Sequence, residues 1–138
     1  MNANSEICTP FKKLNDMKEL QTLMNDISEW SDATFGDGQR NPAIVYHLRK
    51  EVDELIEALT KDDEMGCDES VTIAEFRRQV EKTKMEFADC FMLLLDSASH
   101  YLITAEQLIQ LAREKLEINK ARKWGKPDKN GVIEHVRD

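Results

Sequence analysis

Glu86-Phe87-Ala88-Asp89-Cys90-Phe91-Met92-Leu93-Leu94-Leu95-Asp96 decides the reading of the fold. Apolar side chains fall on every side of a helix drawn through this stretch, which predicts a helix buried nearly all round. Its acids matter as much. Glu86 and Asp89 are three residues apart and share a face, and Lys82, Glu86, Asp89, Leu93, Asp96 and His100 fall within one arc. Upstream, Thr72 followed by Glu75 has the pattern of a capping box, so the helix is expected from near Thr72 to about His100, long enough for a kink or break.

Working outward, the same periodicity predicts three more helices. Leu14, Met17, Leu20, Leu23, Met24 and Ile27, with Phe11, form one stripe over roughly residues 10 to 30, ending before the glycines Gly36 and Gly38. Asn41-Pro42 reads as an N-cap followed by proline at the first helical position, and Ile44, Leu48, Val52, Leu55 and Leu59 carry that helix to about Thr60. Lys61 to Glu69 reads as a polar loop and the best candidate for mobility. Thr104 with Gln107 makes another capping pattern, and Gly125 with Pro127 closes the last helix. No strand alternation appears. The expectation is an all-α four-helix bundle. A single domain over residues 1–138 is expected, with a helical core of about 10–125 and a polar, extended tail of 126–138.

With 138 residues, the chain has the length of one domain. It carries 19 Lys and Arg against 27 Asp and Glu, net −8, which argues against nucleic-acid binding. Residues 1–109 hold 11 basic and 22 acidic side chains, net −11, and residues 110–138 hold 8 and 5, net +3. Such a split suits an acidic, cation-filled site that receives an anion, or simply solvated helix faces. The three cysteines, Cys8, Cys67 and Cys90, contain no CxxC, so neither a disulfide framework nor a zinc site is supported. The N-terminus lacks a signal-peptide core, and the longest apolar run is far below a membrane span. A cytoplasmic protein is expected.

Glu51 and Glu54 repeat the i, i+3 spacing one helix earlier, on the side that carries His47. Alone, this ExxE reads as a solvated face partnered by Arg49, Lys50 or Lys82. Beside Glu86 and Asp89 it reads as an oxygen-rich cage for Mg²⁺ or Mn²⁺, because buried unpaired carboxylates need a partner and hard divalent cations prefer oxygen. A di-iron bundle would want Glu-x-x-His twice, and the sequence has none. Lys115, Asn119 and Arg122, at i, i+4 and i+7, share a face with Leu108, Leu111 and Ile118, so that face is expected to point inward. A point charge and a planar fork suit phosphate oxygens; neutralising neighbouring acids is the alternative.

Together these residues resemble the ExxE…ExxD signature of the MazG-like all-α nucleoside triphosphate pyrophosphohydrolase superfamily. The stretches Trp30 to Gly36, His47 to Leu55, Glu86 to Asp96, Lys115 to Gly125 and Pro127 to Asp138 resemble its dATP/dGTP pyrophosphohydrolase branch, including the phage MazZ type. A full superfamily signature opens with two adjacent acids; here Lys50 precedes Glu51, which bears on the number of metal ions. The connection from Lys61 to Ser70 also looks longer than a minimal one.

The resemblance implies hydrolysis of a purine nucleoside triphosphate between the α- and β-phosphates, with dGTP ahead of GTP or dATP. Glu51, Glu54, Glu86 and Asp89 would hold Mg²⁺ or Mn²⁺, with Glu51 or Glu54 as base. Lys115, Asn119 and Arg122 would bind the β- and γ-phosphates. Trp30, Phe35, Asp96 and His47 are the candidates for the base, His47 also for orienting Glu51. A buried core aromatic is the commoner fate for a residue like Trp30. A homodimer or homotetramer is implied, with the first helix a candidate contact surface. The competing readings are a pyrimidine (dUTP or dCTP) pyrophosphatase and a non-enzymatic acidic helical interaction module.

Overall fold

A computed structural model describes residues 10–137, with side chains from residue 12 onward. Cys8 and the Phe11 side chain lie outside the described residues. The architecture is all-α with four helices, in line with the four-helix bundle expected: α1 (Pro10–Phe35), α2 (Ala43–Gly66), α3 (Ile73–His100) and α4 (Ala105–Ala121). Among the described residues the sole β feature is one isolated bridge, Trp124 to His135. The chain divides into two compact units after Thr104.

In the first unit α3 is central and packs against both α1 and α2. Met24 and Ile27 of α1, Ile44 of α2, and Leu95 and Ala98 of α3 form its buried apolar core. α3 runs unbroken from its cap. Thr72 Oγ1 accepts from the Glu75 backbone N–H at 3.2 Å, and the Glu75 carboxylate accepts from the Thr72 backbone N–H at 2.8 Å. The capping box read from the sequence is therefore present.

Four expectations are corrected. α1 continues past residue 30 to Phe35 and stops at Gly36, whose φ of 100° lies in the left-handed region that glycine tolerates. Asn41 does not cap α2; its amide donates to the Ser97 carbonyl and accepts from the Ser97 hydroxyl across on α3. Residues 61–66 are not loop but the last turns of α2. Lys61, Glu64 and Met65 are good helix formers, and Asp62 accepts from the buried Thr83 hydroxyl of α3 at 3.0 Å. α3 is not buried nearly all round: Phe87, Phe91 and Leu94 are about half exposed in the single chain.

The second unit holds α4 and the tail. α4 ends at Ala121, short of Gly125. The tail does not extend away but folds back on itself: Gly125 N–H donates to the Glu134 carbonyl and Val136 N–H to the Lys123 carbonyl, both at 2.9 Å. A Cβ on Gly125 would lie 3.3 Å from the Glu134 oxygen, tighter than an ordinary contact. Of the stripe on α4, Leu111, Lys115 and Ile118 are exposed and Leu108, Asn119 and Arg122 are half-buried.

Candidate active site

Helical spacing places the acids. His47, Glu51 and Glu54 follow one face of α2, and Glu86 and Asp89 one face of α3. Glu51, Glu54 and Glu86 each bring a carboxylate oxygen into a group whose atoms all lie within 4.8 Å of one another. Glu51 and Glu86 are half-buried and Glu54 exposed. Burial pushes the Glu86 carboxyl above its usual range, and the charges of Glu54, Asp89 and Glu51 push it the same way. Burial and then Glu51, Asp89 and Glu86 do the same to the neighbouring Cys90 thiol.

None of the cations offered as partners by the sequence neutralises this group. Among the described residues Arg49, Lys50 and Lys82 make no ion pair with it, and Arg49 instead lies over the Tyr46 ring at 5.3 Å. Among the described residues the group's one ion-pair partner is His47, whose Nε2 is 3.0 Å from Glu51 Oε1. Like charges crowded without a cation raise one another's pKa, and a set of hard oxygen donors suits Mg²⁺ or Mn²⁺.

A cavity of about 620 Å³ opens beside the acids. Glu51, Asp89 and His47 line it, as do Trp30, Phe35 and Asp96. The four candidates for the base thus share one cavity with two of the four acids. Trp30 meets Phe35 edge to face at 5.5 Å between ring centroids, and both are more than half exposed. Trp30 is therefore a cavity aromatic rather than a core one. Asp96, by contrast, is almost wholly buried. Its Oδ1 accepts from the Ser31 hydroxyl at 2.9 Å and lies 3.1 Å from His100 Nδ1, and its Oδ2 is 3.5 Å from Arg40 Nη2.

Around Asp96 is a network that the sequence reading missed. Arg40 Nη2 donates to Ser31 Oγ and lies 3.7 Å from Asp32. His100 Nε2 is 2.9 Å from Asp32 Oδ1, and its Nδ1 is 2.8 Å from the Asp96 carbonyl. Burial alone pulls the His100 imidazolium down; the hydrogen bonds to Asp96 and Asp32 and the Asp96 charge together outweigh it, so the net shift is up. The available signal was Asp96-x-x-x-His100, two titratable residues one turn apart just after the apolar run Cys90 to Leu95. Arg40 carried none, being one cation in a glycine-containing connection.

Lys115, Asn119 and Arg122 belong to the second unit. There Arg122 Nη1 donates to Asn119 Oδ1 at 3.2 Å, and the Trp124 indole N–H donates to the Asn119 carbonyl at 3.0 Å. Trp124 thus packs the tail against the end of α4.

A family model described as dATP/dGTP pyrophosphohydrolase matches residues 69–138. That half of the chain holds Glu86, Asp89, Asp96 and the Lys115, Asn119, Arg122 stripe. The dATP/dGTP diphosphohydrolase of Cyanophage S-2L is 29% identical over 99 residues, covering 69% of this chain and 90% of that relative. No solved structure matches the chain.

Proposed function

From the premise that the chain belongs to the dATP/dGTP pyrophosphohydrolase family and is a nucleoside triphosphate pyrophosphohydrolase, we propose that it converts a purine deoxynucleoside triphosphate to the monophosphate and pyrophosphate. dGTP is placed ahead of GTP or dATP. One observation carries this reading: a single cavity joins an aromatic pair, Trp30 and Phe35, to Asp89 and to Glu51, a member of the three-carboxylate group Glu51, Glu54 and Glu86. Aromatic faces suit a base, and oxygen donors suit a cation that accompanies phosphates.

Glu51, Glu54, Glu86 and Asp89 are the residues that would hold Mg²⁺ or Mn²⁺, which would supply charge neutralisation at the phosphates and a more acidic attacking water. The chain's own part is to bind, orient and move a proton. Water attacks the α-phosphorus, the α–β bridge bond breaks, and pyrophosphate leaves with the bond electrons. Glu51, oriented by His47, or Glu54 takes the proton from the water. Lys115, Asn119 and Arg122 are the proposed holders of the β- and γ-phosphates. Their chemistry supports this: Asn119 Oδ1 is occupied by Arg122, so its amide presents donors.

The whole of residues 1–138 acts on this reading as one catalytic domain, in the cytoplasm where nucleotide pools are. No helix among the described residues is long and apolar enough to cross a membrane. The enzyme assembles as a homodimer or homotetramer, which would cover Val52, Ile56 and Leu59 of α2 and Phe87, Phe91 and Leu94 of α3, all exposed in the single chain.

The test is a panel of dNTPs and NTPs with Mg²⁺ or Mn²⁺, resolving nucleotides and pyrophosphate by chromatography. Monophosphate and pyrophosphate, fastest from dGTP, are expected. Diphosphate and orthophosphate would refute the bond assignment, and a maximum at dUTP or dCTP would refute the purine assignment.

A further inference from the structure

We propose that Arg40 is a positioning residue for the base: it props the Phe35 ring against Trp30, and the purine is gripped by stacking rather than read along its edge. This inference rests on the purine reading of the cavity and adds how the base is held there.

α1 ends at Phe35, and Gly36 and Gly38, with φ of 100° and 93°, turn the chain so that Arg40 returns to the helix it has just left. Ser31 and Phe35 are one turn apart on α1 and share a face. One guanidinium meets both. Its Nη2 donates to the buried Ser31 hydroxyl, and its carbon lies over the Phe35 ring, 5.5 Å from the centroid. Asp96 of α3, 3.5 Å from the same nitrogen, and Asp32, at 3.7 Å, hold the cation in place. Phe35 in turn meets Trp30 edge to face at 5.5 Å. A ring that is 59% exposed has no core to fix it, and the cation over its face supplies that restraint. Arg40 Nε is buried and has no hydrogen-bond partner. A guanidinium placed for hydrogen bonding alone would not forfeit that donor, so its packing against the ring accounts for where it sits.

The polar side chains that line the cavity with these rings are already engaged within the protein. Gln39 donates to the His100 carbonyl at 2.8 Å and accepts from the Asn41 backbone N–H at 3.0 Å. The Asn41 amide is bonded at both ends to Ser97. Both Asp96 oxygens are taken, by Ser31, His100 and Arg40. Arg40 offers no pair of donors, because its Nη2 is held by Ser31, Asp96, Asp32 and His100 and its Nε is buried. The other polar lining, His47, Glu51 and Asp89, belongs to the acidic end. What remains for a base is aromatic and aliphatic surface. Every purine can stack on such a surface, whatever its 2- and 6-substituents. The lead of dGTP is then a small factor, and two-ring bases exceed single-ring ones through stacking area.

The test uses the deoxynucleoside triphosphates of guanine, adenine and unsubstituted purine, whose base carries neither a 2- nor a 6-substituent. In the wild-type protein the three kcat/KM values should lie within about fivefold of one another. A wider spread means that the edge is read, and it overturns the inference without any mutation, even where a variant fails to fold. Arg40→Met keeps the length of the side chain and removes its charge. KM should rise about fivefold for each of the three substrates, with kcat within about twofold of wild type. A merely structural Arg40 would instead lower kcat through loss of folded enzyme and leave KM standing, and an edge-reading Arg40 would shift the ratios among the three bases; either result overturns the inference. In a Phe35→Leu background the same substitution should change KM by less than about twofold, because the ring that Arg40 positions is gone. A larger change there would also overturn it. Absence of turnover for all three bases sinks the purine reading itself, whereas turnover that depends on the substituents sinks this inference alone.

Discussion

Glu86 carries the clearest conflict between stability and function. It sits half-buried among Glu51, Glu54 and Asp89, and its carboxyl is pushed up by burial and by those charges. Glu86→Gln keeps the shape and removes one charge from the crowd. The thermal midpoint without divalent ions should therefore rise, while turnover falls on the order of 100-fold; scanning fluorimetry and a pyrophosphate assay read the two. An unchanged rate would remove Glu86 from the site. His100 gives the pH dependence. The groups facing it are Asp32 of α1, Gln39 and Arg40 of the connection, and Asp96 on its own helix. Its folded pKa lies above the unfolded value of about 6.5. Its contribution to stability is therefore full below that value and lost as pH rises through the folded pKa. Denaturation midpoints should decline across that window, and His100→Gln should flatten the decline. An equal decline in the variant would place the dependence elsewhere. At this scale the sequence was half legible. Spacing alone paired Glu51 with Glu54 and Glu86 with Asp89. It was silent on Arg40, because a loop cation has no periodicity to say which face it meets.

Among the elements, existence was easier to read than extent. Apolar periodicity found all four helices, and Thr72 with Glu75 located the start of α3. Lys61 to Gly66 was misread because polar composition was taken for loop; the buried Gln79 and Thr83, which meet Ala58 and Asp62, show that α2 needs those turns to pack. The end of α3 holds a residue that no pattern announced. Leu102 adopts a φ of 62°, a left-handed conformation disfavoured for a side chain with a Cβ, and it is 88% exposed. Little packing would be lost by trimming it, so Leu102→Gly should stabilise the protein by about 1 kcal/mol. Chemical denaturation measures this, and a destabilised variant would show that Leu102 has a partner in the assembled enzyme.

For the whole molecule, the apolar run of α3 shows what a single sequence can and cannot say. It marked residues 87–95 as apolar on every side, but not what would cover them. Within one chain Leu95 is buried while Phe87, Phe91 and Leu94 are left half exposed. The proposed assembly would cover them with a second copy, and on that proposal light scattering after size exclusion should return a dimer or tetramer. A monomer at micromolar concentration would contradict that assignment. The central claim is chemical: water attacks the α-phosphorus of a purine deoxynucleoside triphosphate in a site built on Glu51, Glu54, Glu86 and Asp89. Hydrolysis of dGTP with Mg²⁺ in ¹⁸O-labelled water tests it most directly, with products resolved by mass spectrometry. The account predicts dGMP carrying the label and unlabelled pyrophosphate. Label in pyrophosphate, or dGDP with orthophosphate, would contradict it.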